Sequence, residues 1–307
     1  MKKKLAMIRR SCPVCGSRNE SQVFVEADFD AGLFGEFAFA SRKLPELMHY
    51  RLIICPECDL LYANPVPTLK ILSKAYHEAA FDSAEEARYA ARTYAGFLDG
   101  ILKTLSFPKG ALDIGTGDGA FLLELIKKGF TDVLGVEPSK APIQIAPQEV
   151  KKLIRHALFR PENFKKESMC LVTCFQTFEH LMDPRKMLEG SYKILGKGGV
   201  FFGVFHNRRS LSASILGLKS PIFDIEHLQL FSKTSVKALF EKAGFKEVKV
   251  KTILNTYPLH YWMKLLPFPR RFKLVFIGLL KKTGLGYLPI SLPAGNMAVM
   301  GYKKPTS

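Results

Sequence analysis

The sequence predicts an α/β fold, a mostly parallel sheet with helices on both faces, joined to a small cysteine-bearing β-ribbon near the N-terminus. Three observations lead there. Strand-like and helix-like segments alternate from residue 109 onward, as in a doubly wound sheet. A glycine-rich run, Asp113-Ile-Gly115-Thr-Gly117-Asp-Gly119, stands where the first of those strands gives way to a helix. Two Cys-x-x-Cys pairs, Cys12/Cys15 and Cys55/Cys58, precede both. With 307 residues, 47% of them hydrophobic, the chain can bury a full core and a smaller unit besides.

Taken in order, residues 22–26 and 49–54 alternate or are β-branched enough for ribbon strands. Asn64, Pro65 and Pro67 then break the chain, because proline cannot donate to a ladder, and 69–105 carries helical periodicity. The reading is a ribbon at 1–75, a helical connector at 76–108 and an α/β domain at 109–307. In that domain, strand 111–114, helix 120–128 and strand 132–136 make a βαβ unit. A third strand falls near 151–155. Strand 169–174, helix 184–195, strand 200–205 and helix 234–243 follow, the last stopped by Gly244. Strands 246–252 and 296–302 close the sheet as an antiparallel edge, separated by an insertion at 254–294.

Charge bears on partners rather than on fold. Lys and Arg number 45 against 28 Asp and Glu, a formal net charge of +17. Such a surface attracts phosphates on nucleic acid, on nucleotide-linked metabolites or on anionic lipid headgroups. The basic residues are scattered, as on an ordinary solvated surface. The basic opening lacks the apolar region of an export signal and no run is long enough to cross a bilayer, so the expected location is the cytoplasm. In that compartment cysteine pairs favour metal over disulfides.

The glycine run permits close backbone approach by a ligand lying across the carboxyl end of the sheet. Glu137 ends the next strand, where a carboxylate can accept both hydroxyls of a ribose. The spacing Asp-x-Gly-x-Gly-x-Gly differs from the Gly-x-Gly-x-x-Gly of dinucleotide sites, which set a pyrophosphate on the helix N-terminus. It resembles motif I of class I S-adenosylmethionine-dependent methyltransferases. An acid such as Asp113 suits their cationic sulfonium.

The resemblance continues through Phe178-Glu179-His180-Leu181-Met182-Asp183-Pro184 and Leu195-Gly196-Lys197-Gly198-Gly199, then His227-Leu-Gln-Leu-Phe-Ser232, Ala243-Gly244-Phe245 and Gly295-Asn296. These stretches are similar to the ubiquinone-biosynthesis and deoxysugar C-methyltransferase groups. Lys197 stands where that pattern has Pro, and His206-Asn207 where it has Pro-Asn. The family's adenine-binding acid has no counterpart in 156–163. The resemblance implies a Rossmann-like methyltransferase fold with a seven-stranded sheet, and S-adenosylmethionine held by Asp113, Gly115, Gly117, Gly119 and Glu137.

Cys12, Cys15, Cys55 and Cys58 offer four soft ligands, which suit a structural zinc ion with no open position for water; a redox dithiol or a coincidence of spacing are the alternatives. Cys170 and Cys174 read as inert core thiols. The second knuckle continues through Leu60 to Pro65 and on to Tyr76, and resembles the module preceding the methyltransferase domain in enzymes that modify nucleotide-linked deoxysugars. Asp59 takes the place of its usual Gly.

The expected activity is methyl transfer from S-adenosylmethionine to a small anionic acceptor, a nucleotide- or lipid-linked sugar or other glycan precursor. His180 and Glu179 are the catalytic candidates, His180 as base, with bracing of the loop as the alternative for both. Tyr76, His206 and His227 are acceptor-site candidates. A rival is an RNA methyltransferase whose zinc module and basic surface grip RNA, although no base-flipping Asn-Pro-Pro-Tyr motif follows strand 169–174. A second rival is a non-catalytic protein with a vestigial cofactor fold. In the insertion, residues 259–284 mix aromatic and aliphatic residues with six Lys and Arg and no acid. The segment reads either as a lid over the acceptor pocket with its basic face in water, or as a helix in the headgroup layer that makes the enzyme peripheral to the inner face of the membrane.

Overall fold

The computed structural model describes residues 5–20, 22–30, 47–77, 84–105 and 109–304, without the side chains of 74–77, 84 and 270. Five short strands come first: β1 (Met7–Ile8), β2 (Gln22–Val25), β3 (Leu52–Ile54), β4 (Leu61–Ala63) and β5 (Val66–Pro67). β1 pairs antiparallel with β5, while β2, β3 and β4 form an antiparallel ribbon. Three helices follow, α1 (Leu69–His77), α2 (Ala84–Ala95) and α3 (Leu98–Leu102).

The α/β part then runs β6 (Lys109–Ile114), α4 (Ala120–Lys127), β7 (Thr131–Glu137), α5 (Lys140–Ile145), α6 (Gln148–Lys151), β8 (Ile154–His156), β9 (Met169–Phe175), α7 (Pro184–Ile194) and β10 (Leu195–His206). After these come α8 (Leu211–Leu216), β11 (Gln229–Leu230), α9 (Lys233–Lys242), β12 (Glu247–Thr252), β13 (Asn255–Pro258), α10 (Leu259–Leu265), α11 (Arg270–Lys282), β14 (Pro289–Leu292) and β15 (Asn296–Tyr302). The seven-stranded sheet has the order β12-β15-β10-β9-β6-β7-β8. The strands β6 to β10 run parallel, and β15 is antiparallel to both β10 and β12. This is the mostly parallel sheet with an antiparallel edge that the sequence predicts. β10 begins at Leu195, earlier than the alternation suggests, because Leu195 already pairs with Met169 before an irregularity ahead of Val200.

Alternation along the strands builds a core on each face. Phe201 and Phe205 of β10, Val172 of β9 and Val299 of β15 pack with Leu188 of α7 and Val236 and Phe240 of α9. Their neighbours Phe202, Leu171 and Ala298 point the other way, against α2, α3 and α4. Each fully buried phenylalanine contributes about 1.5–3 kcal/mol. Helix starts are fixed locally: Asp183 accepts from Lys186 N at 2.9 Å ahead of Pro184, and Ser232 and Ser235 form a reciprocal capping box on α9.

The ribbon does not close on its own residues. Its fourth strand is β11, paired antiparallel with β4, so residues 229–230 complete a sheet begun at residue 22. Arg10 stitches the same seam, donating to the carbonyls of Ala63, Met182 and Leu228 and to Gln229 Oε1 at 2.7–3.3 Å.

Candidate active site

A cavity of about 1280 Å³ opens along the carboxyl ends of β6, β7, β9 and β10, the edge where open α/β sheets build their sites. One end is made by the glycine turn. Gly115, Gly117 and Gly119 have φ of 74°, 59° and 77°, backbone that only glycine adopts readily. A Cβ on Gly115 would stand 2.7 Å from Thr177 Oγ1, and one on Gly119 would stand 3.0 Å from Val150. The first contact keeps the cavity floor open, and the second lets α4 approach α6.

Asp113 is buried beneath this turn and its Oδ1 accepts from Thr173 Oγ1 at 2.6 Å. Burial pushes its carboxyl up to about 7, against the hydrogen bond from Thr173, and Glu137 adds to the rise. Glu137 sits at the tip of β7 and accepts from Gly117 N at 2.9 Å and from Ser139 N at 2.8 Å. It clamps the turn while each oxygen keeps a second lone pair for a ligand hydroxyl. His156, Ala157 and Leu158 continue the wall beyond β8, so backbone and apolar groups occupy the stretch that lacks an acid.

The other end gathers three histidines from distant stretches. His180 follows β9, His206 ends β10 and His227 precedes β11; the ring centroids of His180 and His206 lie 5.0 and 5.1 Å from that of His227. All three line the cavity. His180 Nδ1 faces Glu226 O at 3.0 Å and His227 Nδ1 faces Ile222 O at 2.8 Å. A carbonyl only accepts, so those nitrogens carry the proton and Nε2 is the basic atom in each ring. His206 Nδ1 meets Asn296 Oδ1 at 2.8 Å, and Asn296 Nδ2 donates to Asn255 Oδ1 at 3.0 Å. Burial pushes His206 down to about 4, so it is neutral near pH 7.

Glu179 lies behind this wall. It is fully buried, is absent from the cavity lining, and its Oε1 accepts from His206 N at 2.6 Å. That contact is the bracing alternative of the two open for this residue. Burial pushes its carboxyl up to about 7. Tyr76 belongs to α1, whose Leu69, Leu72 and Ser73 line the cavity; its side chain is outside the described residues.

The remaining wall is apolar and aromatic. Phe121 and Phe175 meet edge to face at 4.6 Å, and Tyr94 lies 4.8 Å from Phe175. From α10 come Tyr261, Trp262 and Leu265, with Tyr257 just before it and Leu266 just after. Among the described residues no Lys or Arg lines the cavity, whereas Asp113, Asp118, Glu137, Asp224 and Glu226 do. Glu226 and Asn296 as partners of the histidines were not legible in the sequence, since isolated polar residues far along the chain carry no pattern.

The four ribbon cysteines converge, with Sγ atoms all within 4.8 Å of one another. Cys12 and Cys58 are 3.6 Å apart and Cys15 and Cys55 3.4 Å, far beyond a disulfide and near the ~3.8 Å edge of a tetrahedron with zinc–sulfur bonds of about 2.3 Å. The two knuckles share one backbone pattern. Gly16 N and Asp59 N bond to Cys12 O and Cys55 O, while Cys12 N and Cys55 N bond to Ser17 O and Leu60 O, all at 2.8–2.9 Å. Gly16 and Asp59 therefore occupy the same left-handed position, φ 82° and 63°, which Asp tolerates better than most residues. The Asp59 carboxylate bonds Arg208 and, at 2.6 and 2.7 Å, Arg209. Burial alone would raise it, but hydrogen bonds from Arg209 and Ser232 and both guanidinium charges hold it below the ordinary range. The departure from Gly thus ties the second knuckle to the loop that begins at His206.

Sheet order, glycine turn and acidic strand tip define a methyltransferase-type α/β protein. A methyltransferase domain family matches residues 86–250, more than half of the chain, and the chain belongs to it: it is an S-adenosylmethionine-dependent methyltransferase. The ubiquinone biosynthesis O-methyltransferase of Acinetobacter baylyi is 28% identical over 171 residues, 50% of this chain and 71% of that protein. The counterpart in Acinetobacter baumannii is 30% identical over 118 residues, 36% of this chain and 49% of that protein, so the match spans about half of that relative's length. Among solved structures, a methyltransferase from Thermotoga maritima described as a possible histamine N-methyltransferase is 23% identical, covering 71% of this chain and 92% of that chain, with a TM-score of 0.45. Phosphoethanolamine N-methyltransferase 2 of Haemonchus contortus is 16% identical, covering 80% and 63%, with a TM-score of 0.45.

Proposed function

We propose that the enzyme methylates a hydroxyl on the neutral head of an amphiphilic acceptor, with a lipid-linked sugar or related glycan precursor as the class. The observation that carries this reading is the cavity lining, which beside the histidine cluster is largely aromatic and aliphatic and holds no lysine or arginine among the described residues. Of the two handles expected from the sequence, a nucleotide diphosphate would find no cation there, whereas a lipid tail finds leucines and aromatic rings. The negative charge expected of the acceptor then stays outside the cavity. RNA is disfavoured by the same lining, since its affinity rests on phosphate contacts. The named relatives act in ubiquinone biosynthesis as O-methyltransferases, which accords with transfer to oxygen. The reading puts the enzyme in the cytoplasm.

Asp113, Gly115, Gly117, Gly119 and Glu137 hold S-adenosylmethionine in this reading, Glu137 on the ribose and Asp113 toward the cationic end. The cofactor supplies an electrophilic methyl group when bound. This chain's residues must align the acceptor oxygen, exclude water and take one proton. His180 Nε2 accepts that proton as the oxygen–methyl bond forms, His227 packs beside it, and Glu179 acts through the His206 backbone as a positioning residue. The cysteine cluster holds one structural zinc ion, remote from the transfer.

The test supplies methyl-labelled S-adenosylmethionine with, in separate reactions, a membrane lipid extract, a mixture of sugar nucleotides and total RNA. Label in the lipid phase, absent with Gly115→Val, is expected. Label confined to sugar nucleotides or RNA would overturn the acceptor assignment. Elemental analysis should find one zinc per chain.

A further inference from the structure

The insertion places one helix in the cavity wall and turns the next one outward. α10 contributes Tyr261, Trp262 and Leu265 to the cavity, and Leu266 just past its end joins them. α11 packs beside α10, and among its described side chains the only buried one is a lysine: Lys273 reaches back to Lys264 O at 3.0 Å. Ile277 and Leu280, on the same side, are half-buried. The adjoining face, turned to solvent, carries Phe272, Val275, Phe276 and Leu279, exposed by 69, 72, 56 and 57%, at the i, i+3, i+4, i+7 spacing of one helix face. A water-facing helix ordinarily shows the reverse arrangement, so a contiguous apolar stripe on the outside marks an interaction surface.

We propose that this face of α11 docks on an anionic lipid bilayer, seating the cavity mouth at the headgroup layer. The charge around the stripe selects that occupant. Residues 259–284 hold six Lys and Arg and no acid, and Arg271, Lys281 and Lys282 are exposed at the two ends of the stripe. An anionic surface complements them. A second copy of this chain, itself at +17, would set the same cations against one another in a two-fold contact. α11 has 13 residues and no helix among the described residues is long and apolar enough to cross a membrane, so the helix lies in the interface rather than spanning it. The stripe also leads to the cavity. Leu266 both lines the mouth and is 37% exposed, and Phe268, 53% exposed, links it to α11. An amphiphilic acceptor held in the bilayer therefore enters without leaving an apolar surface. The last point rests on the acceptor reading above; the docking itself does not.

The experiment uses the full zinc-loaded chain without cofactor or acceptor, mixed with phosphatidylglycerol-rich or pure phosphatidylcholine vesicles. Flotation with the anionic vesicles, weakened by salt, is expected, and little with the neutral ones. Val275→Ser with Phe276→Ser should lower the bound fraction about tenfold at low salt with Tm unchanged, because both positions face solvent; Arg271→Glu with Lys281→Glu and Lys282→Glu should abolish it. In a Trp262→Phe background, which removes the chain's single tryptophan, Phe276→Trp should shift its emission to the blue on anionic vesicles. No flotation at low salt, or flotation indifferent to the serine variant, would overturn the proposal. So would a dimer in light scattering that Phe276→Ser dissociates, which would assign the stripe to a second copy. Flotation by an enzyme that methylates only soluble acceptors would sink the acceptor reading and leave the docking intact.

Discussion

The two ends of the cavity are built differently. The end proposed for the cofactor is built around residues 113–137, one βαβ unit in which the glycine turn, its clamp Glu137 and the buried Asp113 are local neighbours. The acceptor end draws on α1, α2, the loop after β9, the end of β10, the segment 220–227 and α10. Its histidines meet only after the sheet and the ribbon have assembled. A locally encoded site tolerates change elsewhere, whereas one collected from six places depends on every element that holds it. The difference predicts that damage to the first will be confined to cofactor binding, while damage to the second will spread.

The largest effect is expected at Gly115→Val. Its φ of 74° and the 2.7 Å approach to Thr177 impose strain and a clash of order 1–3 kcal/mol each. Relieving them moves the turn that borders the cavity and fills space left for the ligand, so calorimetry should find S-adenosylmethionine binding weakened by about 100-fold or more, on the order of 2.8 kcal/mol, with the ribbon still folded. Undiminished binding would mean that the turn does not hold the cofactor. His180→Ala should next lower kcat by about 10²–10⁴-fold while leaving cofactor Kd nearly unchanged; equal loss in both would erase the distinction between the two ends.

Asp59→Ala probes the spread of damage. It removes the partner of Arg208, a guanidinium that is mostly buried, at a cost of about 1.5–3 kcal/mol. Because Arg208 follows His206 closely, the acceptor KM should rise several-fold with cofactor affinity constant, read by steady-state kinetics. An unchanged KM would uncouple the ribbon from the site.

Glu179→Gln is the mildest change, and pH reads it. Its folded carboxyl is raised from 4.5 to about 7, so the folded state holds its proton more tightly than the unfolded state. The stability this contributes is full below pH 4.5 and is lost as pH rises through 7, on the order of 3 kcal/mol in all. Glutamine mimics the neutral form and keeps an acceptor for His206 N. Thermal melts should therefore show a flatter decline between pH 5 and 8, with the other buried, raised carboxyls Asp113 and Glu137 contributing to what remains, and kcat should stay within a few-fold. A collapse of kcat would mean that the charge itself takes part in transfer.

The sheet strands, the glycine turn and the cysteine knuckles were legible in the sequence, because each is a short-range pattern with a physical cause. Period-two alternation marks strands such as 111–114 and 296–302. Left-handed turns demand glycine at 115, 117 and 119, and paired thiolates three residues apart point at one ion. What only the tertiary structure decided has a common reason as well: it depends on direction and on partners far along the chain. Residues 229–230 complete the ribbon sheet, though their sequence says nothing of Tyr62. Glu179 and His180 are adjacent in sequence, yet one turns behind the wall and the other into the cavity. The periodicity of 270–282 establishes an amphipathic helix, but whether its apolar side faces the core or the water is set by what α10 and the turn after it leave to cover, and here they cover Lys273 and leave Phe272, Val275, Phe276 and Leu279 outside.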